Sequence, residues 1–129
     1  MRFDVVEPIL GFEEHERFDL KKIDETFVRL QSIDAEEPSF TLINPFILRE
    51  YAFDLPTQLQ EKLEIDGESN ILIFNIVMIQ NPIEKSTINF AAPLIFNTDA
   101  KKMAQFIIDT DPTYGLNEPL ENYLSKDNA

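Results

Sequence analysis

Three short stretches hold the side chains best equipped for chemistry: "EEHE" (13–16) with the chain's single histidine, "DTD" (109–111), and the aromatic, proline-flanked "LINPFILREYAFDLP" (42–56). A zinc or transition-metal centre needs several imidazole or carboxylate ligands at defined spacing, and His15 alone cannot supply a histidine pair. The two acidic clusters could hold calcium weakly, but neither has the spacing or the turn glycine of a dedicated calcium loop, so they read as solvated loop faces. His15, set among acids, reads as an exposed loop residue. Acid–base catalysis by paired carboxylates requires an environment that separates their pKa values, and nothing near these acids provides one. The glycines, Gly11, Gly67 and Gly115, are too few and too scattered to build a phosphate-cradling loop. With no cysteine there is no disulfide, thiolate site or thiol nucleophile. A Ser-His-Asp triad would have to use His15, which nothing recommends. The sequence predicts no enzyme, no metal and no cofactor.

What remains is surface, and charge is its dominant property. Eleven basic residues stand against 24 acidic ones, a formal net charge of -13. Phosphate-backbone binding needs clustered cations, and the basic pairs here are only Lys21-Lys22 and Lys101-Lys102. Direct nucleic-acid binding is therefore not expected. The acidity either keeps the protein soluble or steers a basic protein partner toward it. The most apolar run, "ILIFNIVMI" (71–79), has nine residues with Asn75 at its centre, far short of the roughly 20 that span a bilayer. The N-terminal "MRFDVVEPILGF" lacks the apolar core of a signal peptide. A cytoplasmic monomer without membrane contact is expected.

The elements that must position this surface are mostly strands. At 129 residues with 43% hydrophobic side chains, the chain fits one domain, drawn at 1–124 with a frayed tail at 125–129. Alternating or β-branched runs predict strands at 2–7, 26–33, 39–43, 70–80, 86–96 and 103–109, closely spaced as in a small sandwich or barrel. "NTDAKK" (97–102) reads as a hairpin loop, with a helix over 99–109 as the rival. One helix is expected in "DLPTQLQEKLEIDG" (54–67), capped by Asp54, with Pro56 in its first turn, Gly67 past its end and Leu55, Leu59 and Leu63 as its apolar stripe. A second short helix is expected at 118–124, with Leu120, Tyr123 and Leu124 as its contact face. Pro93 should mark a bulge or edge, and Asn75, if buried, must find partners for its amide. Pro45 and Pro56 cannot lie inside a central strand, so 45–54 reads as an edge, bend or loop crossing one face of the sheet. Its aromatics Phe46, Tyr51 and Phe53 either complete the core or, flanked by Glu50 and Asp54, form an apolar patch with an acidic rim suited to protein binding.

Four ordered blocks resemble one family, the flagellar assembly factor FliW. "NPFILREYAFDLP" (44–56) resembles its "SPF…DYAFDL" segment, and "PILGF" (8–12) its "LPGF". "FVRLQSID" (27–34) resembles its "FVVLQS" strand, and "STINFAAPLIFNTDAKKMAQFII" (86–108) its "TTANLMAPIVIN…AKQVVL" block. Ile9-Leu10 stand where the family often has Leu-Pro, and the match weakens after Thr113. The resemblance implies a mainly β, small single-domain antiparallel β-barrel-like fold with one or two short helices, and a non-enzymatic regulator. It further implies two partners: the C-terminal region of cytoplasmic flagellin, and CsrA, a basic RNA-binding repressor of flagellin translation, antagonised when this protein is free of flagellin. Candidate contact residues are Phe12, Pro45, Phe46, Glu50, Tyr51, Phe53 and Asp54, with Phe46 and Tyr51 as anchors. Two rival readings are an acidic nucleic-acid mimic plugging the RNA site of a basic protein, and a ligand-binding barrel, which would need an internal cavity.

Overall fold

The computed structural model describes residues 1–123, so the expectations for Leu124 and for the tail at 125–129 lie outside the described residues. The strands are β1 (Arg2–Glu7), β2 (Arg17–Lys22), β3 (Phe27–Ser32), β4 (Ser39–Ile43), β5 (Ile71–Met78), β6 (Thr87–Ile88), β7 (Leu94–Asn97), β8 (Lys102–Gln105) and β9 (Glu118–Pro119). Seven of them pair in the order β4-β3-β2-β1-β8-β7-β5, and β5 returns to β4 through Thr41↔Val77 and Ile43↔Asn75, closing a barrel. Closure leaves no long exposed edge around the ring. The short β6 and β9 extend from β5. Every pairing is antiparallel except β1 with β8, which is parallel, so the mainly β, barrel-like expectation holds with one parallel seam.

Strand alternation fills the ring. Phe3, Phe18, Leu30, Leu42, Leu94, Phe96 and Met103 form its interior cluster, each at most 1% exposed. Successive residues of a strand face opposite sides, and on β5, β7 and β8 many of the outward residues are apolar too. Ile73, Val77, Ile95 and Ala104 belong to two further clusters outside the ring. Strands buried on both faces read as near-continuous apolar runs, which is why "ILIFNIVM" carries so few polar residues. A second layer covers this side. It consists of the strap from Pro45 to Phe53, helix α1 (Thr57–Lys62), and the chain from Phe106 to Tyr123.

Several expectations need correction. The run 86–96 is not one strand: β6 stops at Ile88, Asn89 Oδ1 accepts the Ala92 N–H at 3.1 Å, and β7 starts at Leu94. Pro93 has no N–H to donate, but its carbonyl accepts from Phe106. Residues 97–102 do make the expected hairpin and not the rival helix, with Lys101 at φ 60° and Asn97 Oδ1 accepting from Asp99 and Ala100. Regular pairing in β8 ends at Gln105, short of 109. Helix α1 is uncapped by any side chain because Pro56, not Asp54, holds the N-cap position. Its exit is made by Glu64 at φ 57°, well before Gly67, and Asn97 Nδ2 donates to the carbonyls of Leu63 and Glu64 there. The leucine stripe does pack as expected, with Leu59 and Leu63 buried against Ile95 and Ala104. Where a helix is expected at 118–124, the described residues up to Tyr123 form β9 and a 3-10 turn at Leu120–Asn122 instead. β2 was not anticipated, since Phe18 and Leu20 alternate with charges over only a few residues.

Candidate functional site

The strap is shaped by its first three residues. Asn44 accepts the Phe46 N–H through its side chain at 2.9 Å, and Pro45, itself buried, opens a 3-10 turn over Pro45–Ile47. That turn lifts Phe46 and Ile47 off the barrel, leaving them 52% and 56% exposed. The chain then dives, and Tyr51 is only 6% exposed. Its hydroxyl donates to the Phe90 carbonyl at 2.5 Å and accepts from Asn75 Nδ2 at 3.1 Å. Asn75 Nδ2 also donates to the Asn89 carbonyl at 2.8 Å, which answers most of the demand of this fully buried amide. Burial pushes the Tyr51 phenol well above its ordinary pKa, so it remains a protonated donor. Phe53 is half-buried and stacks on Phe106 at 5.8 Å.

The aromatics therefore divide. Phe46 is surface, Phe53 is shared, and Tyr51 is core, so Tyr51 supports the patch and does not anchor a partner directly. Phe46 rests edge-on against Tyr51 at 6.0 Å. Glu50 and Asp54 are exposed on the same strap. Phe12 is not brought to this group: it packs edge-on against Phe40 at 5.1 Å, beside the barrel-core cluster. His15 is not on an exposed loop either. Its Nδ1 lies 3.0 Å from the buried Ser32 hydroxyl, because β2 begins two residues later and runs alongside β3.

Sequence reasoning missed Arg49. Its guanidinium lies over the rings of Tyr114 at 4.8 Å and Phe90 at 5.3 Å, and Nη1 reaches both Glu118 and the Tyr123 hydroxyl at 3.4 Å. Tyr123 in turn hydrogen-bonds Glu118, and Glu118 accepts the Gly115 N–H at 2.6 Å. The Tyr114 hydroxyl accepts from the Ala52 N–H and donates to the Ala52 carbonyl. The strap is thus tied to residues 114–123. The signal available was that Arg49 is the sole basic residue between Arg29 and Lys62, inside an aromatic run.

Among the described residues no three His, Asp or Glu side chains are grouped to hold a metal ion. The barrel interior is filled by side chains such as Phe3, Phe18 and Phe96, leaving the ligand-barrel reading without support. Among the described residues no helix is long and apolar enough to cross a membrane.

Comparison with known proteins agrees with this picture. The family model of the FliW protein matches residues 2–120. The chain is 52% identical over 126 residues to the flagellar assembly factor FliW of Sulfurimonas denitrificans, covering 98% of this chain and all of that protein. It is 42% identical to the flagellar assembly factor FliW 2 of Wolinella succinogenes over 131 residues, covering all of this chain and 96% of that one. A crystal structure of the flagellar assembly factor FliW superposes with a TM-score of 0.87 at 28% identity, covering 97% of this chain and 87% of that one. Together with the closed seven-stranded barrel, these matches show that the chain belongs to the FliW family, a family of non-enzymatic assembly factors.

Proposed function

We propose that this chain serves flagellar assembly as a partner switch, binding the C-terminal region of flagellin in the cytoplasm and, when free of it, binding and antagonising CsrA. Flagellin translation then follows flagellin export. Family membership across nearly the whole chain carries this reading. The surface suits it as well: a net charge of -13 favours encounter with a basic partner, and Phe46 with Ile47 offers an exposed apolar contact near Glu50 and Asp54.

Calorimetric titration with CsrA, and separately with a flagellin C-terminal fragment, tests the proposal. Each should bind saturably, and flagellin should displace CsrA. Phe46→Ala should weaken at least one complex by about 2 kcal/mol or more, as truncating a central aromatic does, while Glu50→Gln should cost about 1 kcal/mol or less. Tight binding unaffected by Phe46→Ala would move the contact surface elsewhere. Absence of binding to CsrA would remove the translational half of the switch, and displacement from CsrA by RNA would favour the nucleic-acid mimic.

A further inference from the structure

Beyond that reading, one stretch of backbone is left open for a strand that none of the described residues supplies. The N–H groups of Phe106 and Ile108 donate to the carbonyls of Pro93 and Ala91, continuing the β8–β7 ladder past its regular end. Because ladder groups alternate in direction, the N–H and C=O of Ile107 and Asp109 face the other way, toward the side where β1 pairs with β8. β1 ends at Glu7, and among the described residues neither Ile107 nor Asp109 has a backbone hydrogen-bond partner. Beside this edge lies a groove of about 670 Å³ whose facing wall is the end of the strap, Ala52 to Pro56. Phe53, Leu55 and Ile107 give it an apolar floor, with Ile107 48% exposed. Three carboxylates, Asp54, Asp109 and Asp111, stand around it, and no cation lines it.

We propose that residues 106–109 accept an extended peptide by strand addition, and that the preferred peptide carries apolar residues flanked by lysine or arginine. Main-chain pairing would supply register and the groove would take alternate side chains, as in other sheet-edge complexes. The acidic rim selects basic flanks, which is the charge complementarity that singles out this occupant over an acidic or uncharged strand. The proposal does not depend on flagellin or CsrA as partners, and the Phe46→Ala titrations can succeed or fail independently of it.

The test uses the full chain labelled with 15N and the peptide acetyl-Lys-Val-Arg-Val-Lys-amide. Titration to millimolar peptide should shift the amides of 52–55 and 105–111, and should slow hydrogen exchange at Ile107 and Asp109 by at least tenfold. Replacing the peptide's Lys and Arg by Glu should weaken binding at least tenfold. N-methylating the peptide's ladder-facing amides should abolish it. No shifts at millimolar peptide, unchanged exchange at Ile107 and Asp109, or equal binding of the acidic peptide would each overturn the proposal.

Discussion

Replacing Tyr51 by phenylalanine removes one oxygen atom from the centre of the outer layer and should destabilise the protein by about 2–4 kcal/mol. The hydroxyl is the donor to the Phe90 carbonyl and the acceptor for one Asn75 N–H, and all three groups are sealed from water. Leaving a buried polar group unpaired costs about 1–3 kcal/mol. The Phe90 carbonyl should show most of that, whereas Asn75 keeps its bond to Asn89 and should lie near the lower end. Asn75 Oδ1 already lacks a donor among the described residues, so the site has no spare donor with which to satisfy the Phe90 carbonyl. For a chain of this size about 4 °C of melting temperature accompanies each kcal/mol, giving a fall of roughly 8–16 °C. Urea unfolding followed by far-UV circular dichroism is the assay, since the chain has no tryptophan. The slope of the unfolding curve should not change. A loss below about 0.5 kcal/mol, small against the cost of one orphaned buried group, would refute the reasoning and mean that the hydroxyl is dispensable. Partner affinity of the folded variant should match wild type, because the ring presents almost no surface.

Asn97→Ala should cost about 2–4 kcal/mol, because the buried amide joins the exit of α1 to the β7–β8 hairpin through four hydrogen bonds. Hydrogen exchange should then accelerate at both Glu64 and Asp99, and acceleration at only one would show that the two are not coupled. Arg49→Lys keeps the charge but loses the planar stack on Tyr114 and Phe90; it should cost about 1 kcal/mol and loosen residues 114–123 in hydrogen exchange. Unchanged exchange there would mean that other contacts hold the segment. Burial raises the pKa of Tyr51, and burial together with the Glu118 hydrogen bond raises that of Tyr123. A raised phenol favours the neutral form in the folded state, so this stability is fully present below the ordinary tyrosine pKa of about 10 and is lost as pH rises beyond it. Urea midpoints between pH 8 and 12 should fall at the alkaline end, less steeply in Tyr51→Phe.

Local regularity made part of this fold readable. The runs at 2–7 and 39–43 are strands with those bounds, short segments rich in β-branched and aromatic residues that largely alternate with polar ones. The stripe Leu55, Leu59, Leu63 was readable for the same reason, at helical spacing. Helix ends were not, since Glu64 adopts a backbone conformation that glycine usually supplies. The sorting of Phe46, Tyr51 and Phe53 was also hidden. The strap is neither strand nor helix, so no period says which ring faces inward, and the answer depends on Phe90 and Asn75, 24 to 39 residues away. The Arg49 cluster lies further out of reach, with partners 69 and 74 residues along the chain.

The two-sided wall formed by β5, β7 and β8 divides the circumference into halves with different freedom to change. Along β2 and β3 the outward positions, Arg17, Asp19, Lys21, Arg29 and Gln31, carry polar side chains that the barrel interior does not need. On the opposite half, both inward residues (Phe74, Ile76, Leu94, Phe96, Met103) and outward ones (Ile73, Val77, Ile95, Ala104) belong to a cluster, so a substitution at these positions on either face must be accommodated by packed neighbours. Sequence drift, affinity tags and fluorophore attachments are therefore channelled toward β2 and β3, while a saturation library should find the clustered positions of β5, β7 and β8 nearly closed to polar replacements.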